Sequence, residues 1–164
     1  MRTPVLTRRM RRRHRESGQA TVEFALILFP LLILVVGIIQ FGIGLNYWLD
    51  MQRLANQGAR WAAVDNYPGC PRTGPKTPCN PTLQRYIACQ PTSGALRPTV
   101  AISFPAAGSD NQGDPVLVTL AHDFDLVPIL GVGNLVLRAK ATMRLEQDAS
   151  RFRAADTYGP GACP

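Results

Sequence analysis

The hydrophobic pattern begins with one long apolar run, from Val22 to Leu45, whose only charged or amide side chains are Glu23 and Gln40. The run has 24 residues. A helix that rises ~1.5 Å per residue needs about 20 residues to cross a hydrocarbon layer of ~30 Å. The core helix of a soluble domain would show a polar stripe at helical period, whereas this run is apolar on every side. The pattern therefore predicts a membrane-spanning helix rather than a buried helix of a large domain.

Beyond Leu45 the pattern becomes partly amphipathic, which indicates that the helix continues outside the bilayer over about residues 46–64. The apolar positions, which alternate with alanines, are Leu49, Leu54, Trp61 and Val64. Tyr47 and Trp48 lie where an interfacial aromatic belt is expected. The Asn-Tyr-Pro-Gly sequence at residues 66–69 predicts the end of this helix.

From Pro98 onward the hydrophobic period changes to two, which is typical of half-buried β-strands. The apolar faces of three predicted strands consist of Val100, Ile102 and Phe104, of Val116, Val118 and Leu120, and of Leu135, Leu137, Ala139, Ala141, Met143 and Leu145. The third strand must bury its apolar face, and the helix after the span is the available cover. The predicted fold class is therefore α+β, with a long N-terminal membrane-spanning helix that continues into a helix packed on a small antiparallel β-sheet.

Residues 68–98 are rich in proline and cysteine, with seven of the 14 prolines in the chain. We expect a stapled loop here, with a short helical turn at Leu83–Ala88. The four cysteines all follow the apolar run, and an even number in a small exported domain favours two disulfides, with three pairings open. Their spacing does not match the close cysteine pairs of zinc sites, so we predict no metal. The disulfide candidates are Cys70, Cys79, Cys89 and Cys163.

The net charge of +7 is concentrated at the N-terminus. Residues 1–18 contain seven arginines and one glutamate, and the rest of the chain is nearly neutral. An arginine cluster beside a span marks the cytoplasmic side, so we predict that everything after Leu45 is extracytoplasmic. A nucleic-acid-binding arm is disfavoured because the cluster lacks the interleaved aromatic residues of such binders. Residues 1–17 are polar and aperiodic, and we expect them to be disordered or to lie on the inner membrane surface.

The start of the run resembles a known family. The segment Gly18-Gln19-Ala20-Thr21-Val22-Glu23-Phe24-Ala25-Leu26, followed by Pro30 and by Gly37-Ile38-Ile39-Gln40-Phe41-Gly42, is similar to the N-terminal region of TadE-like proteins. These are minor pilins, or pseudopilins, of the tight-adherence type IV pilus systems. Gly58-Ala59-Arg60-Trp61-Ala62-Ala63-Val64 and Ala141-Thr142-Met143-Arg144-Leu145-Glu146 continue the resemblance.

The resemblance implies a prepilin of the bacterial cytoplasmic membrane, with a cytoplasmic N-terminus and a pilin-like fold. A prepilin peptidase would cut after Gly18, so that Gln19 becomes the new N-terminus and Glu23 the fifth mature residue, the position that pilins use for assembly. Phe24 departs from the Tyr that major pilins of this class tend to carry. The implied partners are the membrane, the peptidase, other pilins or pseudopilins and the pilus assembly platform. The segments we predict are a cleaved basic leader (1–18), the transmembrane helix (19–45), its extracytoplasmic extension (46–66), the Pro/Cys-rich loop (67–98), the sheet domain (99–148) and a C-terminal tail (149–164).

The chemistry of Glu23 supports an assembly role independently of the resemblance. A carboxylate among apolar residues needs a cationic or hydrogen-bonding partner, or it takes up a proton. Cleavage after Gly18 would create an α-amine, and the amine of a neighbouring subunit could be that partner. The alternative is that Glu23 reaches the membrane interface and favours the positive end of the helix dipole. Cyclisation of an N-terminal Gln19 would remove the amine charge and weaken the pairing account.

The sequence indicates no active site and no cofactor. His122 is the only histidine after the predicted leader, and a single imidazole with scattered acids is not a catalytic set. Asp123 and Asp125 could bind a cation, but a solvated strand edge explains them better. We therefore predict a minor pilin or pseudopilin that is not an enzyme and binds no nucleic acid. The alternatives are an uncleaved single-pass membrane protein whose disulfide-stapled outer domain binds a ligand or partner and, less favoured, a membrane-anchored hydrolase.

Overall fold

The structure is a computed structural model of the 164-residue chain. It describes residues 7–70, 79–91, 96–105, 110–127, 132–150, 152, 158 and 163, with the side chains of residues 7–17, 126, 127 and 132 excluded. The chain divides into two compact units, Met1–Gly42 and Ile43–Pro164.

Helix α1 covers Thr7–Ala63 and contains the whole apolar run, including Pro30. Over the described residues, Gly18–Ala63 is the one helix long and apolar enough to cross a membrane, and none of its most apolar window is buried inside the protein. Of the two alternatives predicted for residues 1–17, disorder is wrong for residues 7–17, whose backbone is helical, and a position on the inner membrane surface stays a prediction. Arginine and methionine favour helices, and extending an existing helix avoids the cost of nucleation.

The part of α1 in the second unit buries a narrow stripe of mostly small residues. Its fully buried members are Met51, Leu54, Ala55, Ala59 and Ala62. We predicted Leu49 as an apolar contact, but its side chain is 54% exposed. Leu49 lies two residues before Met51, about 200° around the helix, and therefore points away from the stripe. Trp61 and Val64 are only partly buried.

The sheet has three antiparallel strands in the order β1-β2-β3, with β1 at Thr99–Ser103, β2 at Pro115–Val127 and β3 at Val132–Arg144. Val100 lies opposite Leu120, and Leu120 lies opposite Ala139, so these side chains share the face that is buried with the α1 stripe in one core. The α+β prediction is confirmed. Two details differ: Phe104 lies just beyond β1 and stacks on Phe152, and Leu135 is 47% exposed.

Helix α1 is tied at its C-terminal end to the segment that follows β3. The backbone N–H of Glu146 donates to the carbonyl of Ala63 (2.7 Å), and the Gln147 side chain donates to the carbonyl of Val64 (3.3 Å). Asp65, buried and in the left-handed region (φ 44°), accepts hydrogen bonds from the N–H (3.3 Å) and hydroxyl (2.6 Å) of Ser150. The bonds from Glu146 and Gln147 satisfy backbone carbonyls of the kind that every helix leaves unpaired at its end, and the bonds from Ser150 fix the residue that follows.

A short helix α2 lies at Leu83–Ala88, as predicted, and Thr82 caps its N-terminus by accepting from the N–H of Arg85. Leu83 and Ile87 of α2 are fully buried in the common core. The residues around α2 are held by two disulfides, Cys70–Cys79 and Cys89–Cys163, with Cα–Cα distances of 5.6 and 5.5 Å. The structure thus selects one of the three pairings that the sequence left open.

Candidate functional site

The predicted cleavage point lies inside α1. Gly18 is exposed, and a Cβ built there would meet no described atom within 4 Å. Glycine makes the helix about 1 kcal/mol less stable than alanine would at this point, which favours the local unwinding that a peptidase needs. Among the described side chains none crowds Gly18, so the helical backbone is the feature that limits access to the bond between Gly18 and Gln19.

Glu23 is exposed on α1, and its carboxylate has a partner in its own chain. The side-chain amide of Gln19 donates to Oε1 of Glu23 at 3.1 Å, across one helical turn. We did not predict this contact, although the i, i+4 spacing of a glutamine and a glutamate is a readable signal for it. The hydrogen bond uses part of the capacity of the carboxylate, which has about four acceptor positions, and leaves room for a second donor.

The helix surface around Glu23 is apolar and open. Phe24 is 65% exposed, and so are the neighbouring large apolar side chains at Val22, Leu26 and Ile27. Gly37 and Gly42 likewise have no described atom within 4 Å of a built Cβ, whereas Gly44 is covered by the ring of Phe124 at 3.4 Å. This surface suits lipid or another apolar helix, and Glu23 is the single charge within it.

The second unit holds a shallow cleft of about 210 Å³ beside β1 and β2. It is lined by Arg97, Thr99, Ala121, His122 and Asp123. Nδ1 of His122 donates to the backbone carbonyl of Arg97 at 3.2 Å, so the imidazole has a structural bond there. Asp123 and Asp125 are exposed on β2, and the described residues contain no cluster of three or more metal-ligating side chains.

The four cysteines lie in the second unit, away from the predicted cleavage and assembly residues in sequence. Cys70 follows the end of α1 and pairs with Cys79, nine residues later in the chain. Cys89 directly follows α2 and pairs with Cys163. Both bridges therefore stabilise the segments around α2.

Comparison with known proteins finds a family model that matches part of the chain. The family model described as TadE-like protein matches residues 18–60, from the predicted cleavage point to the buried stripe of α1. This match agrees with the resemblance found in the sequence, and it covers most of the helix that is long and apolar enough to cross a membrane in the described part of the chain. TadE-like proteins are structural pilus components rather than a known enzyme family. No curated protein and no solved structure matches the chain.

Proposed function

From the TadE-like match over residues 18–60, we propose that the chain is a minor pilin or pseudopilin that acts in the assembly of a tight-adherence type IV pilus. The observation that carries the proposal is the spacing between Gly18 and Glu23 at the start of an apolar, exposed helix. The chain would insert with its N-terminus in the cytoplasm of a bacterium and be cut after Gly18 by a prepilin peptidase.

Removal of the leader has a clear electrostatic consequence. Residues 1–18 carry a net charge of +6, which holds the N-terminus at the inner leaflet. Without them, the apolar helix has no basic anchor on that side and can be withdrawn from the bilayer at lower cost. Processing thus converts a membrane anchor into an element that can enter a fibre.

Glu23 supplies the specificity of assembly in this proposal. In the described chain its carboxylate accepts one hydrogen bond from Gln19 and is exposed among the exposed apolar side chains of α1. After cleavage, the α-amine of a neighbouring subunit would provide the charged partner. Because a charge-assisted hydrogen bond in low dielectric is strong and directional, this pair would fix the stagger between adjacent helices.

The cleavage step is tested by determining the N-terminus of the protein from cells with and without an active prepilin peptidase. We expect Gln19, or its cyclised pyroglutamate form, when the peptidase is active, and the intact leader when it is absent. A Gly18→Leu variant should retain its leader, with Gly37→Leu as the control for a bulky residue elsewhere in the helix. An intact Met1 terminus in peptidase-positive cells would contradict processing and favour the uncleaved single-pass alternative.

The assembly step is tested with Glu23→Ala. We expect normal membrane insertion and cleavage but at least about a tenfold loss of sheared pili, because a hydrogen bond to a charged group contributes about 1.5–3 kcal/mol. Gln40→Ala, which removes the other polar side chain of the apolar run, is the matched control and should retain piliation. Normal pilus yield from Glu23→Ala would refute the assembly role.

A further inference from the structure

We propose that the far end of the β2–β3 hairpin, residues 122–127 and 132–137, makes a second membrane contact by lying in the outer surface of the bilayer. This inference rests on the membrane anchoring in the proposed function but concerns a different part of the chain. The contact would hold the sheet domain against the lipid until the helix is withdrawn.

The hairpin extends well beyond the rest of the sheet. Strand β1 pairs only with residues 117–121 of β2, whereas β2 and β3 continue to pair as far as Val127 and Val132. The last residues of the hairpin therefore lack the third strand that flanks its base.

Contacts with α1 place this end of the hairpin where the helix leaves the apolar run. The ring of Phe124 lies 3.4 Å from a Cβ built on Gly44, one residue before the run ends at Leu45. Tyr47 packs edge-on against both Phe124 and His122, with ring centroids 5.8 Å apart in each case. If the run ends at the bilayer boundary, the far end of the hairpin lies at the same level.

Both faces of the hairpin end expose an apolar side chain, although the face of Val136 also carries Asp123 and Asp125. Leu135 and Val136 are consecutive and so project from opposite faces of β3, yet they are 47% and 46% exposed. In an antiparallel sheet in water, one face normally packs on the core and the other face is polar, so exposed apolar side chains on both faces are unusual. Partly exposed apolar side chains of α1 at the same end of the unit are Ile43, Leu45, Trp48 and Leu49. Their continuity with the apolar run favours lipid over a second copy of the chain as the occupant.

The nearby charges limit how deep the hairpin can lie. Asp123 and Asp125 are exposed on the same face as Val136, so deep insertion would bury two carboxylates. Further along that face come Arg138 and Lys140, both exposed and without an ion pair among the described residues. These cations suit anionic headgroups above an apolar contact. The arrangement therefore fits shallow contact at the boundary between headgroups and acyl chains.

The test uses the full chain reconstituted in phosphatidylcholine and phosphatidylglycerol vesicles whose acyl chains carry bromine, which quenches tryptophan on contact. Trp48 and Trp61 are replaced by Phe, and one tryptophan is introduced by Val136→Trp or, as the matched control on the same face of β3, by Thr142→Trp. We expect at least about twofold stronger quenching at position 136 than at position 142, because only the former would lie at the depth of an interfacial residue.

Several outcomes would overturn the proposal. Equal quenching at both positions would show that the hairpin end is no closer to the lipid than the rest of β3. The absence of quenching at position 136 would exclude lipid contact. A blue shift at position 136 that grows with the protein-to-lipid ratio, without quenching, would assign the surface to a second copy. Flotation of the protein with the vesicles measures membrane anchoring by the helix separately. Flotation without quenching at position 136 would refute only the hairpin contact, whereas loss of flotation would contradict the anchoring on which the proposed function depends.

A measurement on the wild-type chain avoids any effect of the substitutions on folding. A phospholipid with a photoreactive group on its acyl chain should label peptides from residues 122–137 as well as from the apolar run. Labelling of the run without labelling of the hairpin end would refute the contact while leaving the anchor intact.

Discussion

Gly58 is the residue at which α1 comes closest to its neighbours in the core. A Cβ added there would lie 2.6 Å from Cδ1 and 3.3 Å from Cγ1 of Ile87, and 3.4 Å from Cγ1 of Val118. From the sequence alone, Gly58 counts only as a position that weakens a helix by about 1 kcal/mol relative to alanine. The structure gives the reason for the glycine: its missing side chain leaves the space that the buried Ile87 occupies.

We predict that Gly58→Ala destabilises the sheet domain by about 1 kcal/mol, because overpacking costs of about 1–3 kcal/mol outweigh the gain in helix propensity. Ile87→Val alone should cost about 0.5–1.5 kcal/mol. The double variant should be more stable than the sum of the two single effects, because the substitution at Ile87 removes the clashing Cδ1 atom. Urea unfolding in detergent, followed by tryptophan fluorescence, measures all three free energies of unfolding.

Gly42→Ala is the control for helix propensity, since a Cβ there meets no described atom within 4 Å. It should not destabilise the domain. A stabilising effect of Gly58→Ala would show that Ile87 adjusts freely and that the close approach has no energetic weight.

At the scale of the element, the end of α1 and the segment after β3 act as one unit. The carboxylate of Asp65 is buried and accepts two hydrogen bonds from Ser150, 85 residues later in the chain. The backbone bond from Glu146 to Ala63 reinforces the same junction. The helix therefore ends where the chain after the sheet supplies its capping donors, ahead of the Pro-Gly pair that the sequence pointed to.

We predict that Ser150→Ala lowers the free energy of unfolding of the sheet domain by about 1.5–3 kcal/mol, the usual contribution of a hydrogen bond to a charged group. Ser103→Ala, an exposed serine at the end of β1, is the matched control and should change stability by less than about 0.5 kcal/mol. Chemical denaturation of both variants in the same detergent makes the comparison. Equal effects of the two substitutions would contradict a stabilising role for the Asp65–Ser150 contact.

The buried face of a strand is easier to predict from hydrophobic periodicity than the buried face of a helix, as β2 and α1 show. The alternation from Val116 to Leu120 identifies the buried face of β2 correctly, because period-two patterns leave little choice of face. The phase of the α1 stripe was harder to predict, because alanines and a glycine form it while the larger Leu49 points outward. A prediction that assigns the largest apolar side chains to the buried face of a helix fails where the helix packs closely and small side chains occupy that face.

At the scale of the whole molecule, the sequence predicted the long apolar helix, the three-stranded sheet and the TadE-like resemblance. It did not predict contacts between residues far apart in the chain. The pairing of Cys89 with Cys163 and the bond between Asp65 and Ser150 depend on how α2 and the segment after β3 pack around the sheet. The Gln19–Glu23 contact was readable from spacing, since it lies within one helical turn.

The separation of 74 residues between Cys89 and Cys163 determines the order in which the two disulfides can form during export. In the proposed orientation, Cys70 and Cys79 can be oxidised as soon as the loop between them has crossed the membrane. Cys89 can form its bridge only after the three strands and Cys163 have also crossed the membrane. In that orientation, a subunit that carries the second bridge has been exported at least as far as Cys163, so the bridge distinguishes subunits that have reached this point from those that have not.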